Sequence, residues 1–219
     1  MRKIIAALTM GLVLTGASVS ASPAAVFEQG AIVVELGGTL NPKVKGQGDV
    51  TLEAKGESGY KFSVTTGLSD KFALQYRQGF CKSEEKTFGP MTTYAESKPV
   101  DFNLLYKVNP HLMLIAGYEH TKIAYGDFIA PKSHSGFHIG LTGSHKLDDK
   151  ATLFATLVSG KDASLKEAGI IYKLSGVSTF TVAYTERKAN DVDLKILTYP
   201  ATKTDYTMSG ITCMFGTRL

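Results

Sequence analysis

The chain contains no tryptophan, and only two cysteines, Cys81 and Cys213, among its 219 residues. Two thiols cannot supply the multiple bridges that a disulfide-dependent scaffold needs. Past the first two dozen residues there is no apolar run approaching the roughly 20 residues of a membrane helix. Glycine-rich phosphate-binding motifs are missing. The five histidines, His111, His120, His134, His138 and His145, are scattered, and metal-ligand spacing is not evident among them. Charge of one sign is also scarce. The formal charge is +4, and Arg2 and Lys3 belong to the N-terminal segment, so the remainder carries +2 (+4 − 2). That argues against a nucleic-acid partner, which wants a concentrated basic face.

What is present begins with an export signal. Arg2 and Lys3 form a positive n-region, Ile4 to Leu14 an apolar h-region, and Val19-Ser20-Ala21 a small-residue cleavage pattern. The expected division is a signal peptide over 1–21 and one domain over 22–219. No cysteine follows the cleavage pattern, so a lipoprotein anchor is unsupported.

Strict apolar/polar alternation, the period of a strand, then recurs along the chain. Ile32, Val34 and Leu36 oppose Glu35, Gly37 and Thr39. Phe72, Leu74, Tyr76 and Phe80 oppose Gln75, Arg77, Gly79 and Cys81. Leu112, Leu114, Ala116 and Tyr118 oppose Gly117, Glu119 and Thr121, and Phe180, Val182 and Tyr184 oppose Thr181, Ala183 and Thr185. The segment from Ala151 to Val158 alternates less cleanly. The count is about ten strands, with eight as the alternative.

The connections fall into two classes. Leu68-Ser69-Asp70, Asn109-Pro110, Asp148-Asp149 and Ser175-Gly176 are tight turns made of turn-forming residues. Asn41 to Gly59, Ser83 to Tyr94, Gly126 to Ser135 and Ala189 to Asp205 are longer polar stretches, and a short hairpin falls near Lys161-Asp162. Tight turns at one end and long loops at the other are the arrangement of a transmembrane barrel. Tyr106 and Tyr172, just before two turns, are placed for an interfacial aromatic girdle.

Alternation does not say which face points inward. A soluble exported β-barrel holding a ligand would bury the apolar face. A transmembrane barrel would expose it to lipid. The glycine-, serine- and threonine-rich polar face, suited to a tight lumen, and strands of about ten residues favour the second. So does the end of the chain, Met208-Ser209-Gly210-Ile211-Thr212-Cys213-Met214-Phe215. It resembles the C-terminal signal strand of outer-membrane β-barrel proteins, with Gly210 followed five positions later by the aromatic Phe215. Cys213 departs from that pattern, as do the four residues after Phe215. Across the mature chain the pattern resembles small outer-membrane barrels of the OmpA and OmpX kind, or the porin-like superfamily. The resemblance implies an all-β, closed antiparallel transmembrane barrel in the outer membrane of a Gram-negative bacterium. The partners it implies are outer-membrane lipid and the barrel-assembly machinery. Lys43, Lys45 and Lys55, in the first long loop, are candidates for touching anionic lipopolysaccharide.

With the apolar face outward, the lumen receives Glu35, Lys61, Gln75, Arg77, Asp101, Asn103, Lys107, Glu119, His138, Lys146, Glu167, Lys173 and Arg187. Arg77, Glu119 and Glu167 fall near mid-height. Charges of both signs in a narrow lumen must pair or stay hydrated. They either fill the barrel as a structural network or line a narrow path for ions. Cys81 falls on the lumen face near the outer end and Cys213 on the lipid face near the other, a register that denies them a disulfide.

Lys132-Ser133-His134-Ser135-Gly136-Phe137-His138 is the cluster that invites a catalytic reading. A nucleophilic serine needs a histidine within reach and a third group to orient it. Adjacent residues on a strand diverge, so His134 and Ser135 do not pair. Asp127 and His134 lack the second acidic pair of the barrel proteases. The reading is therefore a non-enzymatic barrel with a structural or surface-interaction role. A small porin-like channel comes second and a soluble ligand-binding barrel third. An outer-membrane enzyme comes last. No cofactor and no catalytic or metal site is assigned.

Overall fold

The structure is a computed structural model that describes residues 26–47, 51–57, 59–88, 91–126, 129–161, 163–194 and 202–219. The expected signal peptide and its cleavage pattern lie outside the described residues, as do Asp127 and Asp162. The described elements are β1 (Ile32–Gln47), β2 (Thr51–Lys55), β3 (Gly59–Gly67), β4 (Phe72–Lys82), β5 (Lys86–Phe88), β6 (Met91–Thr93), β7 (Ala95–Asn109), β8 (Leu112–Tyr125), β9 (Ile129–Lys146), β10 (Ala151–Gly160), β11 (Ala163–Lys173), β12 (Ser178–Leu194) and β13 (Thr202–Arg218).

Every sheet neighbour is antiparallel, and β13 returns to pair with β1. The seam runs from Val33↔Arg218 to Gln47↔Asp205, which abolishes a free edge. β2 pairs only with the far half of β1, above β3, while β5 and β6 form a separate hairpin. Ten staves therefore close the wall: β1, β3, β4 and β7 through β13. This is the all-β, closed antiparallel transmembrane barrel, and the eight-strand alternative falls.

The faces are those of a membrane barrel. Leu36, Phe102, Phe137, Ile139, Leu157, Tyr184 and Ile211 all point outward, with Phe137 81% and Ile139 71% exposed. Glu119, Asp101, Asn103 and His138 are buried. A continuous apolar exterior around a polar interior is stable only against lipid. Aromatic rings gather at two levels of that exterior. Near the turns, Phe72 and Tyr106 form a tilted pair with ring centroids 5.0 Å apart, and Tyr172 and Phe180 face each other across β11 and β12. Toward the other end lie the pairs Tyr60–Phe80, Phe62–Tyr76, Tyr76–Phe102 and Tyr118–Phe137.

The tight turns form where the residue pattern places them, and side chains hold them. Ser69 Oγ accepts from the Lys71 and Phe72 amides, Asp148 Oδ1 from the Lys150 and Ala151 amides, and Ser175 Oγ from the Val177 and Ser178 amides. Asn109 Oδ1 accepts from the His111 amide at 2.8 Å. These are short side-chain-to-backbone bonds that fix a reversal without help from packing.

The polar stretches at the far end are largely strand, contrary to their reading as loops. β1 runs on to Gln47 and is joined by β2. β5 and β6 fall within the 83–94 stretch, β9 begins at Ile129, and β12 runs to Leu194 and β13 from Thr202 in the 189–205 stretch, of which 195–201 lie outside the described residues. β9 has 18 residues, β12 and β13 have 17 each, and a tilted crossing needs about 9–11. The wall therefore projects past the apolar belt. Two bulges mark its departure on either side of β13, one between Leu40 and Lys43 and one between Ala189 and Val192. Each holds a non-glycine residue with positive φ, Asn41 at 45° and Asp191 at 52°, the residue types that best tolerate that conformation.

Candidate functional site: the lumen

The lumen is stratified, which binary alternation did not reveal. At the turn end, Val26, Phe27, Ala31 and Val33 fold into the barrel mouth, and Phe27 packs on Ala73, Leu105, Met113 and Ile115. Lys107 Nζ sits 5.3 Å from the Phe27 ring. This floor is tied in place by Gly30 N donating to Gly67 O and by Arg218 Nη2 contacting Glu28 Oε2 at 2.6 Å. At the other end, Val44, Cys81, Ile123, Ala189, Val192 and Tyr206 form an apolar ceiling. The polar residues lie between them.

Two ion-pair clusters fill that middle. In the first, Lys61, Arg77 and Glu167 meet. Lys61 Nζ lies 3.7 Å from Glu167 Oε1, and Arg77 Nη2 lies 3.4 Å from Glu167 Oε2. Thr185 Oγ1 donates to Glu167 Oε1 at 3.0 Å, and Lys61 also donates to Thr185 and Thr212. Beside them Ser63 Oγ donates to Glu35 Oε2 at 2.6 Å. In the second, Arg187 bridges two acids, its Nη2 to Asp101 Oδ2 at 2.5 Å and its Nη1 to Glu119 Oε2 at 3.2 Å. A relay borders this pair. Gln75 Nε2 donates to Thr65 Oγ1, Asn103 Nδ2 donates to Gln75 Oε1, and His138 Nε2 lies 2.7 Å from Asn103 Oδ1.

Register explains the second cluster. Asp101 faces Glu119 across β7 and β8, and Asn103 faces Gly117, which faces His138 on β9. Gly117 is required here, because a Cβ would collide with Asn103 Oδ1 and His138 Nε2. A void of about 100 Å³ remains in the middle layer, bordered by Glu35, Lys61, Arg77, Asp101, Glu167 and Arg187.

Of the ten residues read as a lumen network, Lys61, Gln75, Arg77, Asp101, Asn103, Glu119, His138, Glu167 and Arg187 each contact at least one other member, and Glu35 contacts Ser63. Lys146 departs from the expected lumen set. It lies at a turn, open to solvent and 2.8 Å from Asp149. The apolar floor went unread because Val33, Met113 and Ile115 stand on the face that alternation assigns as polar, and the ceiling because Val44, Ala189 and Val192 fall in stretches read as loops. Cys81 is buried in the ceiling, Cys213 stands on the outward face, and both are free thiols.

His134 and Ser135 face opposite sides of β9, as adjacent strand residues do. Ser135 Oγ instead meets His120 Nδ1 across β8 and β9 at 2.6 Å, on the exterior. Gly210 and Phe215 lie on β13. Gly210 lets Thr39 and Pro42 approach at the bulge, where a Cβ would strike them, and Phe215 is an outward ring.

No family model and no curated protein matches the chain. Among solved structures, the chain is similar to the translocator domain of the autotransporter NalP from Neisseria meningitidis, at 12% identity over 100% of this chain and 94% of that one, with a TM-score of 0.46. It is similar to Neisserial surface protein A at 10% identity over 86% and 99%, with a TM-score of 0.44. It is likewise similar to Ail, the attachment invasion locus protein of Yersinia pestis, at 11% identity over 87% and 99%, with a TM-score of 0.42.

Proposed function

We propose that the chain is a non-enzymatic outer-membrane barrel whose lumen is a structural core and whose projecting strands meet a partner at the cell surface. The observation that carries this reading is the triple closure of the lumen. An apolar floor around Phe27 and an apolar ceiling around Tyr206 enclose a middle crossed by Arg187 and Arg77 salt bridges. An ion path needs continuous hydration from end to end, and two layers of buried apolar side chains oppose it. The projecting wall at the far end then remains as the surface for interaction.

A lysine collar supports lipopolysaccharide as one partner. Lys43 stands directly opposite Lys55 across β1 and β2, and Lys98 directly opposite Lys122 across β7 and β8. All four are exposed. Like charges facing each other, as Lys43 and Lys55 do, destabilise a ladder, and a polyanion bound between them reverses the sign. Lys45, beside them, is 3.6 Å from Glu53, and Lys98 is 2.6 Å from Glu96.

Two measurements test the reading. Cell fractionation with a heat-shift gel should place the protein in the outer membrane, migrating faster unheated than boiled. Planar bilayers should show no discrete conductance. Steady unitary currents sensitive to Arg77→Ala or Glu119→Ala would replace the structural reading with a channel. For the collar, neutralising Lys43, Lys45 and Lys55 together should weaken lipopolysaccharide binding several-fold, and unchanged binding would remove that partner.

A further inference from the structure

The salt bridges do not use every ligand atom in the second lumen cluster. One oxygen of Asp101, one oxygen of Glu119 and one ring nitrogen of His138 all lie within 4.8 Å of one another. The three residues come from three successive strands, and none is more than 6% exposed. Asp101 Oδ1 and His138 Nδ1 are buried and accept no hydrogen bond. Leaving such buried atoms unpartnered costs about 1–3 kcal/mol each.

The relay sets the histidine's chemistry. Asn103 Nδ2 is committed to Gln75 Oε1, so Asn103 turns its carbonyl oxygen toward His138, 2.7 Å from Nε2. A carbonyl only accepts, so Nε2 carries the proton and Nδ1 keeps its lone pair. Metal-binding histidines are commonly held in this way, one ring N–H fixed by a carbonyl and the other nitrogen free to ligate. Arg187 in turn holds Asp101 Oδ2 and Glu119 Oε2, which fixes the two carboxylates beside His138.

We infer that Asp101, Glu119 and His138 form a binding site for one divalent transition-metal ion inside the barrel. Two carboxylate oxygens and one imidazole nitrogen suit Zn²⁺ and its first-row neighbours better than Ca²⁺ or Mg²⁺, which prefer all-oxygen sites. Ligands of one tetrahedral ion stand about 3.4 Å apart, so small side-chain rotations close the present spread. A void of about 10 Å³ borders all three residues, roughly the space of one bound water. The site is a structural cross-link of β7, β8 and β9, not a catalytic centre, because the floor and ceiling shut it from solvent.

The test is to fold the full chain in detergent with Zn²⁺ or Co²⁺ present from the start, since the closed ends slow later entry. One ion per chain should survive gel filtration, and the Co²⁺ form should show a visible absorption band. His138→Gln, which keeps an amide to donate to Asn103, should weaken retention at least about tenfold, while exposed His145→Gln should not. A second preparation, with His111, His120, His134 and His145 replaced by Asn, leaves His138 as the only imidazole. Its ¹⁵N resonances should then move on Zn²⁺ addition during folding, which decides the matter should His138→Gln fail to fold. No retained ion, retention unchanged in His138→Gln, or unmoved His138 resonances would each overturn the site. None of these outcomes touches the conductance test, so the metal site and the closed-lumen reading fail separately.

Discussion

Arg187 illustrates how much one lumen side chain carries. It neutralises Asp101 and Glu119 together, and its side chain is 12% exposed. Replacing it with alanine strands two buried carboxylates, and breaking such a pair costs about 3–5 kcal/mol. Arg187→Ala should therefore lower the urea midpoint of the heat-shifted band by a corresponding amount. Arg187→Ala combined with Asp101→Asn and Glu119→Gln should recover part of the loss. Alternation alone assigned all four residues around this point to the lumen. What it could not show was that Asp101, Glu119 and His138 converge, because that depends on the register of three strands, and register is set by turn lengths and bulges that no short window of residues contains. The closest hint was Gly117, a residue without a side chain in an otherwise well-filled stretch, which marks a close approach.

At the scale of the element, the turns and bulges are where local chemistry acts most directly. The Lys150 and Ala151 amides beside Asp148 hold its carboxyl below the ordinary carboxylate range. A depressed folded-state value means the turn gains stability above the unfolded value of about 3.9 and loses it as pH falls through the lower, folded one. The protection factors of the Lys150 and Ala151 amides, with the intrinsic exchange rate divided out, should hold at neutral pH and fall only below about pH 4. Asp148→Asn should flatten that dependence. Asn41 makes a different prediction. Its φ of 45° suits glycine or asparagine, so Asn41→Gly should keep the thermal midpoint near that of the parent. Asn41→Val should destabilise by about 1–2 kcal/mol, the cost of forcing a bulky residue left-handed. The turns were legible because their residues act on their own backbone. The continuation of β1, β9, β12 and β13 past the belt was not. Beyond the lipid the outer face turns polar while only scattered inner residues such as Val44, Val192 and Tyr206 stay buried, so the alternation fades and a polar strand reads as a loop.

For the whole molecule, lipid outside and polar groups inside force the wall to close, and closure forces the interior to be filled. The fold class and near strand count were legible because the alternation is imposed by lipid over every stave. The filling was not. The floor of Val26, Phe27 and Ala31 comes from a segment that carries no alternation, and the ceiling combines residues from β1, β4, β8, β12 and β13. Phe27→Ala should loosen the floor alone. Hydrogen exchange should quicken at Ala73 and Leu105 while the heat shift persists.

The contact between Glu28 and Arg218, with Leu219 N donating to Ile32 O at 2.9 Å, has a use beyond holding the floor. The two ends of the wall meet, so a short linker from Leu219 to residue 26 can join them, and the chain can be reopened between Lys161 and Ala163, where β10 turns into β11. Such a circular permutant keeps every pairing of the wall but places Gly210 and Phe215 in the interior of the polypeptide. It separates two properties that the natural order confounds. Folding in micelles asks only whether the staves close, and the permutant should pass. Insertion in living cells asks whether β13 must be the last strand delivered, and there the permutant should stall.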